Sequence, residues 1–429
     1  MPNRASGQGG ATKRNRRAPL RVLLAPCGFK ENLLVGELIE CMAFGVAAAA
    51  PNAEILHAPM VDGGEGFTRT LVELTGGTLE PVTVTGPVGQ KISTEIGLLG
   101  GAHRRHAVIE IAAAAWLRHV PRDARDPRKT TSYGVGELIG CALDLGANRL
   151  LIGCGDSGVC DGGIGLAEAL GARPLDRHGR RIGRGGGALR RLTSIDLSTI
   201  DPRLRRARIE VAVNWQNVLL GPRGVARLYG PQKGATPKAV AELEEGLGTL
   251  AAVIHRELGI DVASMPGGGA SGGLGAAMHA LLGAKLVPRF QIASRFVKFD
   301  RLLARADLVL TAEGSIDQLT AHGKMPAEIA RRAKRRGVPV IALVGTIGDG
   351  AEANHAIGIS AYFSILRGPC PRAEAMANAK QLVTRATEQV IRSVLVGHSS
   401  LRAGAIAHTK PRDSPRAVRS RRPRGSASI

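Results

Sequence analysis

Three stretches of this chain bring together residue types that handle phosphate groups or hard metal ions. The longest is Gly153-Cys-Gly-Asp-Ser157-Gly-Val-Cys-Asp161-Gly162-Gly163-Ile-Gly165, directly after the apolar run Arg149-Leu-Leu-Ile152 and before a helical pattern around Leu166 to Leu170. A glycine-rich turn from strand to helix points main-chain N–H groups outward at a helix N-terminus, where they and the helix dipole attract anions. A tight turn needing positive φ would use the same glycines. The spacing matches neither a Walker A loop nor a dinucleotide fingerprint.

The second stretch, Val61-Asp62-Gly-Gly-Glu65-Gly66, sets two carboxylates within one turn of chain. Their oxygens suit Mg²⁺, and they could equally cap the helix that follows. The third, Thr311-Ala-Glu313-Gly314-Ser-Ile-Asp317-Gln-Leu-Thr320-Ala-His322-Gly-Lys324, leaves another apolar strand with carboxylates, hydroxyls and an ammonium. Ligands of open α/β sheets sit beyond the carboxyl ends of strands, so this stretch is placed to meet a substrate or metal. Gly230-Pro-Gln-Lys233-Gly234 adds a lysine for phosphate, and Gly267-Gly-Gly-Ala-Ser-Gly-Gly-Leu-Gly275 opens an Ala-rich helix.

Such residues need a scaffold. Arg21-Val-Leu-Leu-Ala-Pro26 reads as a short buried strand, followed by a helical pattern from Leu34 to about Ala50. The same alternation returns at Leu308–Thr311, Val338–Val344 and Ala361–Leu366. Apolar runs of this kind, separated by helices, predict parallel strands covered on both faces. Thr78 to Gly101 differs, with short alternating runs and turn signals at Gly86-Pro87 and Gly100-Gly101, as expected of antiparallel strands. The expected fold class is therefore α/β with two domains: a Rossmann-like parallel-sheet domain (residues 19–79 plus 283–397) and an inserted mixed α/β domain (80–282).

The chain's 429 residues allow two or three cores of ordinary size, and aromatics at 3% make those cores aliphatic. Of the net charge of +22, the segments 1–18 and 398–429 carry +12, leaving +10 for the body. Both segments lack apolar periodicity and read as disordered basic tails. Neither holds a Phe, Tyr or Trp to stack on bases, so no specific nucleic-acid partner is expected. No stretch resembles an uncharged membrane span, and no membrane partner is expected. The six cysteines form no CxxC pair, which fits reduced thiols and a cytoplasmic location.

Taken in order, the motifs resemble the glycerate 2-kinase family of bacteria, glycerate kinase type I, from about Arg21 to Leu395. The resemblance is carried by Phe29-Lys30-Glu31, Val61–Gly66, Thr85-Gly-Pro87, Ile109-Glu-Ile111, Thr130–Gly134, Asp161-Gly-Gly163, Gly230–Gly234, Glu313-Gly314 with Asp317, and His322-Gly-Lys324. It implies an active site in a cleft between two α/β domains and Mg²⁺-ATP-dependent phosphorylation of glycerate, a small-molecule substrate, at its 2-hydroxyl. Phosphoryl transfer asks for positioning and charge neutralisation more than for covalent chemistry from the protein. The resemblance implies catalytic roles for Lys30, Asp161, Asp317 and Lys324, with Glu313 and Asp317 at the metal. Asp62, Glu65, Ser157, Gly162, Gly163, Lys233, Gly314 and Thr320 would bind substrate or nucleotide.

The chain departs from the family pattern inside these motifs. Cys27 and Gly28 stand where the family has Asp and Ser, and Asn214 and Gln216 stand at its usual aspartate positions, with Val218 at a proline. Asp156 replaces a glycine, Cys160 an asparagine and Gln318 a serine. An amide accepts a hydrogen bond but is neither a general base nor a neutraliser of Mg²⁺. Two other readings follow: a family member that binds nucleotide or hydroxy acid without catalysis, and a kinase with an altered hydroxy-acid substrate.

Overall fold

The computed structural model describes residues 19–405, with side chains as far as residue 397. The tail expected at 1–18 and most of that at 398–429 lie outside the described residues. The last helix, Ala379–Ala405, runs into the segment read as the second tail.

Two sheets organise the chain. The first is five-stranded and parallel throughout, in the order β13-β12-β11-β1-β2. Its strands are β1 (Arg21–Leu24), β2 (Glu54–His57), β11 (Leu308–Ile316), β12 (Val340–Ile347) and β13 (Ala361–Ser364). Val22, Leu23, Leu24, Val309 and Leu310 are fully buried, because helices pack on both faces. The helix Val35–Ala49 and the helix Ala379–Ala405 lie against each other, closing one face of the sheet.

The second sheet has six strands in the order β10-β9-β6-β5-β4-β3. They are β3 (Thr78–Thr85), β4 (Lys91–Leu98), β5 (His106–Glu110), β6 (Arg149–Gly153), β9 (Arg208–Val213) and β10 (Lys285–Pro288). From β10 to β5 all neighbours are parallel, whereas β4 and β3 pair antiparallel through the turn at Gly86-Pro87. A separate hairpin joins β7 (Arg173–Leu175) to β8 (Ser194–Asp196). Strands of the second sheet thus come from residues 78 to 288, between the two halves of the first.

This topology places the motifs. Cys27–Lys30 follows β1, Asp62–Gly66 follows β2, the 153–163 turn follows β6, Asn214–Gln216 follows β9, and Asp317–Lys324 follows β11. Each lies beyond the carboxyl end of a parallel strand, and there the two sheets meet. Gly63 shows how closely: it sits at φ 84°, and a Cβ on it would lie 3.0 Å from the amide nitrogen of Cys154. Only glycine lets the loop of one lobe seat against the strand end of the other.

Candidate active site

Lys30 is the hub of the cleft. Its ammonium lies 3.0 Å from Asp62 Oδ2 and 2.6 Å from Asp156 Oδ1, so one cation joins a loop of the first lobe to the long turn of the second. Desolvation in the cleft opposes the charge on Lys30, but the two carboxylates outweigh it and hold its pKa above the ordinary lysine value. Asp62 responds in the opposite sense: burial favours its neutral form, and Lys30 with Arg289 overcomes this and keeps it well below the usual carboxylate range.

Asp156 is built for this contact. It is a non-glycine residue at φ 56°, a left-handed conformation that costs an L-residue roughly 1–2 kcal/mol. Its carboxylate takes the Lys30 ammonium on Oδ1 and the Glu65 N–H on Oδ2, the latter at 3.0 Å. Glu65 in turn accepts the Glu31 N–H at 2.9 Å, tying the loop after β2 to the loop after β1.

On the same lobe, in the loop after β11, Lys324 lies 3.4 Å from Asp317 Oδ1, and the same oxygen accepts the Thr320 N–H at 2.9 Å. Asp317 therefore caps the short helical turn Gln318–Ala321 while it holds the lysine. Gly323 comes next to Asn214 of the other lobe: at φ 83°, a Cβ here would lie 2.8 Å from Asn214 Oδ1. Asn214 and Gln216 are thus brought to the Lys324 loop, while Gly314 stays exposed on the outgoing strand.

Glu313 sits between the charged groups. Burial pushes its carboxyl up to about 7, against the pull of Lys324 and Lys30. Its Oε2 is enclosed and has no hydrogen-bond partner. A buried acceptor left unmade is costly and is expected to meet a ligand or ion. Cys27 lies in the same field, its thiol raised by burial and then by Glu313 and Asp62. Among the described residues no three His, Cys, Asp or Glu side chains cluster as a protein-only metal cage.

Arg289, the first residue after β10, carries no signal in the sequence reading and yet reaches this cleft. Its guanidinium lies 3.4 Å from Asp62 and donates to the Gly323 carbonyl at 2.7 Å, while its Nε is enclosed without a partner. Glu110 is the other unforeseen member. It accepts the Thr68 N–H at 3.0 Å and the Gly66 N–H at 3.4 Å, capping the helix Phe67–Thr75, and burial pushes its carboxyl up to about 7.

The remaining sequence-picked residues sit deeper. Asp161 is fully buried; its Oδ2 accepts the Ser132 N–H and hydroxyl at 2.7 and 2.9 Å, and its Oδ1 accepts the Gly163 N–H at 3.1 Å. The Gly162 N–H donates to the Gly272 carbonyl at 3.0 Å. These two amides are therefore spent on the turn instead of facing the cleft as an anion cradle. Lys233 is 4% exposed and donates to Ser157 Oγ at 3.1 Å and the Val159 carbonyl at 2.7 Å, so it too braces the turn from behind. Burial draws its pKa below the ordinary lysine value. Thr320 is buried under the Asp317 cap.

Known proteins share this plan. Residues 22–395 match the glycerate kinase family. The chain is 42% identical to a glycerate kinase of Halalkalibacterium halodurans, over 87% of this chain and 97% of that protein. It is 39% identical to a glycerate 2-kinase of Escherichia coli strain K12, over 88% of this chain and 99% of that protein. A crystal structure from Salmonella typhimurium LT2, given as glycerate kinase 2, superposes with a TM-score of 0.73 at 40% identity, covering 89% of this chain and all of that one. With a family match across nearly the whole described body and relatives covered almost end to end, this chain belongs to the glycerate kinase family.

Proposed function

We propose that the chain transfers the γ-phosphoryl group of ATP to the 2-hydroxyl of glycerate, with Mg²⁺. The observation that carries this reading is the meeting of Lys30, Arg289 and Lys324 around the unpaired Glu313 carboxyl at the facing strand ends of two lobes. Phosphoryl transfer is served by positioned cations that neutralise charge on the moving group. Lys30 and Lys324 supply that charge, both close enough to pull on the Glu313 carboxyl. Glu313 and Asp317 would hold Mg²⁺, which when bound neutralises phosphate oxygens. Arg289 is placed to take the carboxylate of the acceptor, because a planar guanidinium with an unused Nε–H matches a carboxylate in two-point fashion. Asp161, Ser157, Gly162, Gly163 and Lys233 act through the shape of the turn that presents Asp156, and Thr320 through the Asp317 cap.

The neutral residues Cys27, Asn214 and Gln216 favour a second reading, in which the cleft binds nucleotide or hydroxy acid and transfers little or nothing. A coupled assay with Mg²⁺-ATP and D-glycerate, run beside a Lys324→Ala control, separates the two. Turnover far above the control supports transfer. Turnover equal to the control rejects it, and calorimetry with ATP then shows whether binding remains.

A further inference from the structure

The opposite end of the second sheet holds a cationic cavity of about 660 Å³. His106, Arg149 and Arg208 are the first residues of β5, β6 and β9, and they are direct cross-strand partners, His106 with Arg149 and Arg149 with Arg208. Cross-strand partners in a parallel sheet project from the same face, roughly 4.8 Å apart. Like charges in that relation repel and destabilise the sheet. Lys285 opens β10 opposite Glu210, two residues past Arg208 on β9, and Arg295 closes the cavity from the helix Arg289–Val297.

Little inside the protein offsets this charge. Glu210 is the single carboxylate of the lining, and Arg295 already holds it at 3.0 Å. Among the described residues the side chains of Arg208 and Lys285 have no ion pair or hydrogen bond, and Arg149 reaches only His106 Nε2, at 3.5 Å. The cavity also has an apolar wall, Leu151 with Phe296, whose ring packs on His103 at 5.2 Å. Its volume lies within the range of small-molecule sites, and its combination of apolar wall and converging polar groups is theirs too.

We propose that this cavity is a second ligand site, separate from the cleft, that binds a small phosphorylated molecule. The row of Arg149 and Arg208 with Lys285 takes the phosphoryl oxygens, and the wall around Phe296 takes the body of the molecule. Binding relieves the repulsion across β6 and β9. The proposal does not depend on the kinase reading, since these residues lie at the amino ends of strands whose carboxyl ends form the cleft.

Calorimetry with inorganic pyrophosphate tests it on the full chain. To silence the cleft, the titration is repeated on Lys30→Ala/Lys324→Ala, where binding is expected to persist within about twofold. In Arg149→Ser/Arg208→Ser the affinity is expected to fall by at least roughly tenfold, because two charge-assisted contacts are lost. Absence of binding to the wild-type chain at millimolar pyrophosphate overturns the proposal. So does undiminished binding to Arg149→Ser/Arg208→Ser, or loss confined to the cleft variant. Should the double arginine variant fold poorly, Lys285→Ser and Arg208→Ser serve singly. Without ligand, Arg208→Ser is expected to melt higher than wild type, and a lower melting point contradicts the repulsion on which the site rests.

Discussion

Lys30 and Lys233 both stand in short, glycine-flanked loop motifs of the sequence, and the fold gives them opposite surroundings. Lys30 keeps 47% of its side chain exposed and meets two carboxylates from two lobes. Lys233 keeps 4% and meets a hydroxyl and a carbonyl from one turn. The same division separates Asp317, at the cleft with Lys324, from Asp161, locked between Ser132 and Gly163. At the cleft the charged groups stay partly exposed and within reach of a ligand, whereas charge behind the turn is consumed in holding the backbone. A mutation at the first place should therefore be read in turnover, and at the second in stability.

The largest expected effect tests the cleft side. Lys324→Ala should lower kcat/KM about 10³-fold, near 4 kcal/mol of transition-state stabilisation, with an unchanged melting temperature. Steady-state kinetics beside a melting curve decides it; a protein that unfolds more easily would move Lys324 to the structural class. The turn side is tested by Asp161→Ala, which strands the Ser132 and Gly163 donors and should cost about 3 kcal/mol in denaturant unfolding. Full stability with lost turnover would return Asp161 to the cleft.

Glu110 sharpens the contrast, since it caps a helix beside the cleft with a carboxyl that burial pushes up to about 7. Its carboxyl rises from 4.5 to about 7 on folding because of burial, so the folded chain binds that proton more tightly than the unfolded one. Its contribution is complete below the unfolded value, declines as pH rises toward 7 and is gone above it. The decline should amount to about 3 kcal/mol, measured by unfolding across pH 4.5 to 8. Glu110→Gln should flatten that slope, and parallel slopes in the two proteins would assign the proton elsewhere.

Restoring acid at the Lys324 loop is a smaller step. Asn214→Asp with Gln216→Asp should raise turnover about tenfold, or 1.4 kcal/mol, if missing charge limits the reaction; an unaltered kcat would show that the amides suffice. Smallest is Asp156→Gly, where relief of a left-handed L-residue is offset by the lost contacts to Lys30 and the Glu65 N–H, so the melting temperature should move little. The same change frees Lys30 on one side and should weaken substrate binding, visible as a higher KM.

Much of the scaffold was legible in advance because strands declare themselves locally. Arg21–Leu24 and the helix from Val35 have apolar patterns bounded by proline and polar residues, and the Thr78–Leu98 hairpin has its Gly-Pro turn. The motif at the end of β11 was legible too, since Glu313 on the strand and Asp317, Thr320 and Lys324 just past it share one short stretch of chain. Arg289 was not. It opens a helix far along the chain from Asp62, and nothing in its neighbours distinguishes it from a solvated arginine. Glu110 was quoted only as part of a motif, because its partners at Gly66 and Thr68 are reached through a helix packed on its strand.

By itself the sequence determined the alternation of strand, turn and helix, the glycines that permit the turns, and the placement of polar groups just past strand ends, all of which are set by near neighbours along the chain. Whether a charged group ends up open to a ligand or sealed behind a turn depends on which lobe closes over it. That was decided only in the tertiary structure, because desolvation and ion pairing arise from groups brought together across the sheets. Lys30 and Lys233, alike in local sequence character, are separated by that alone.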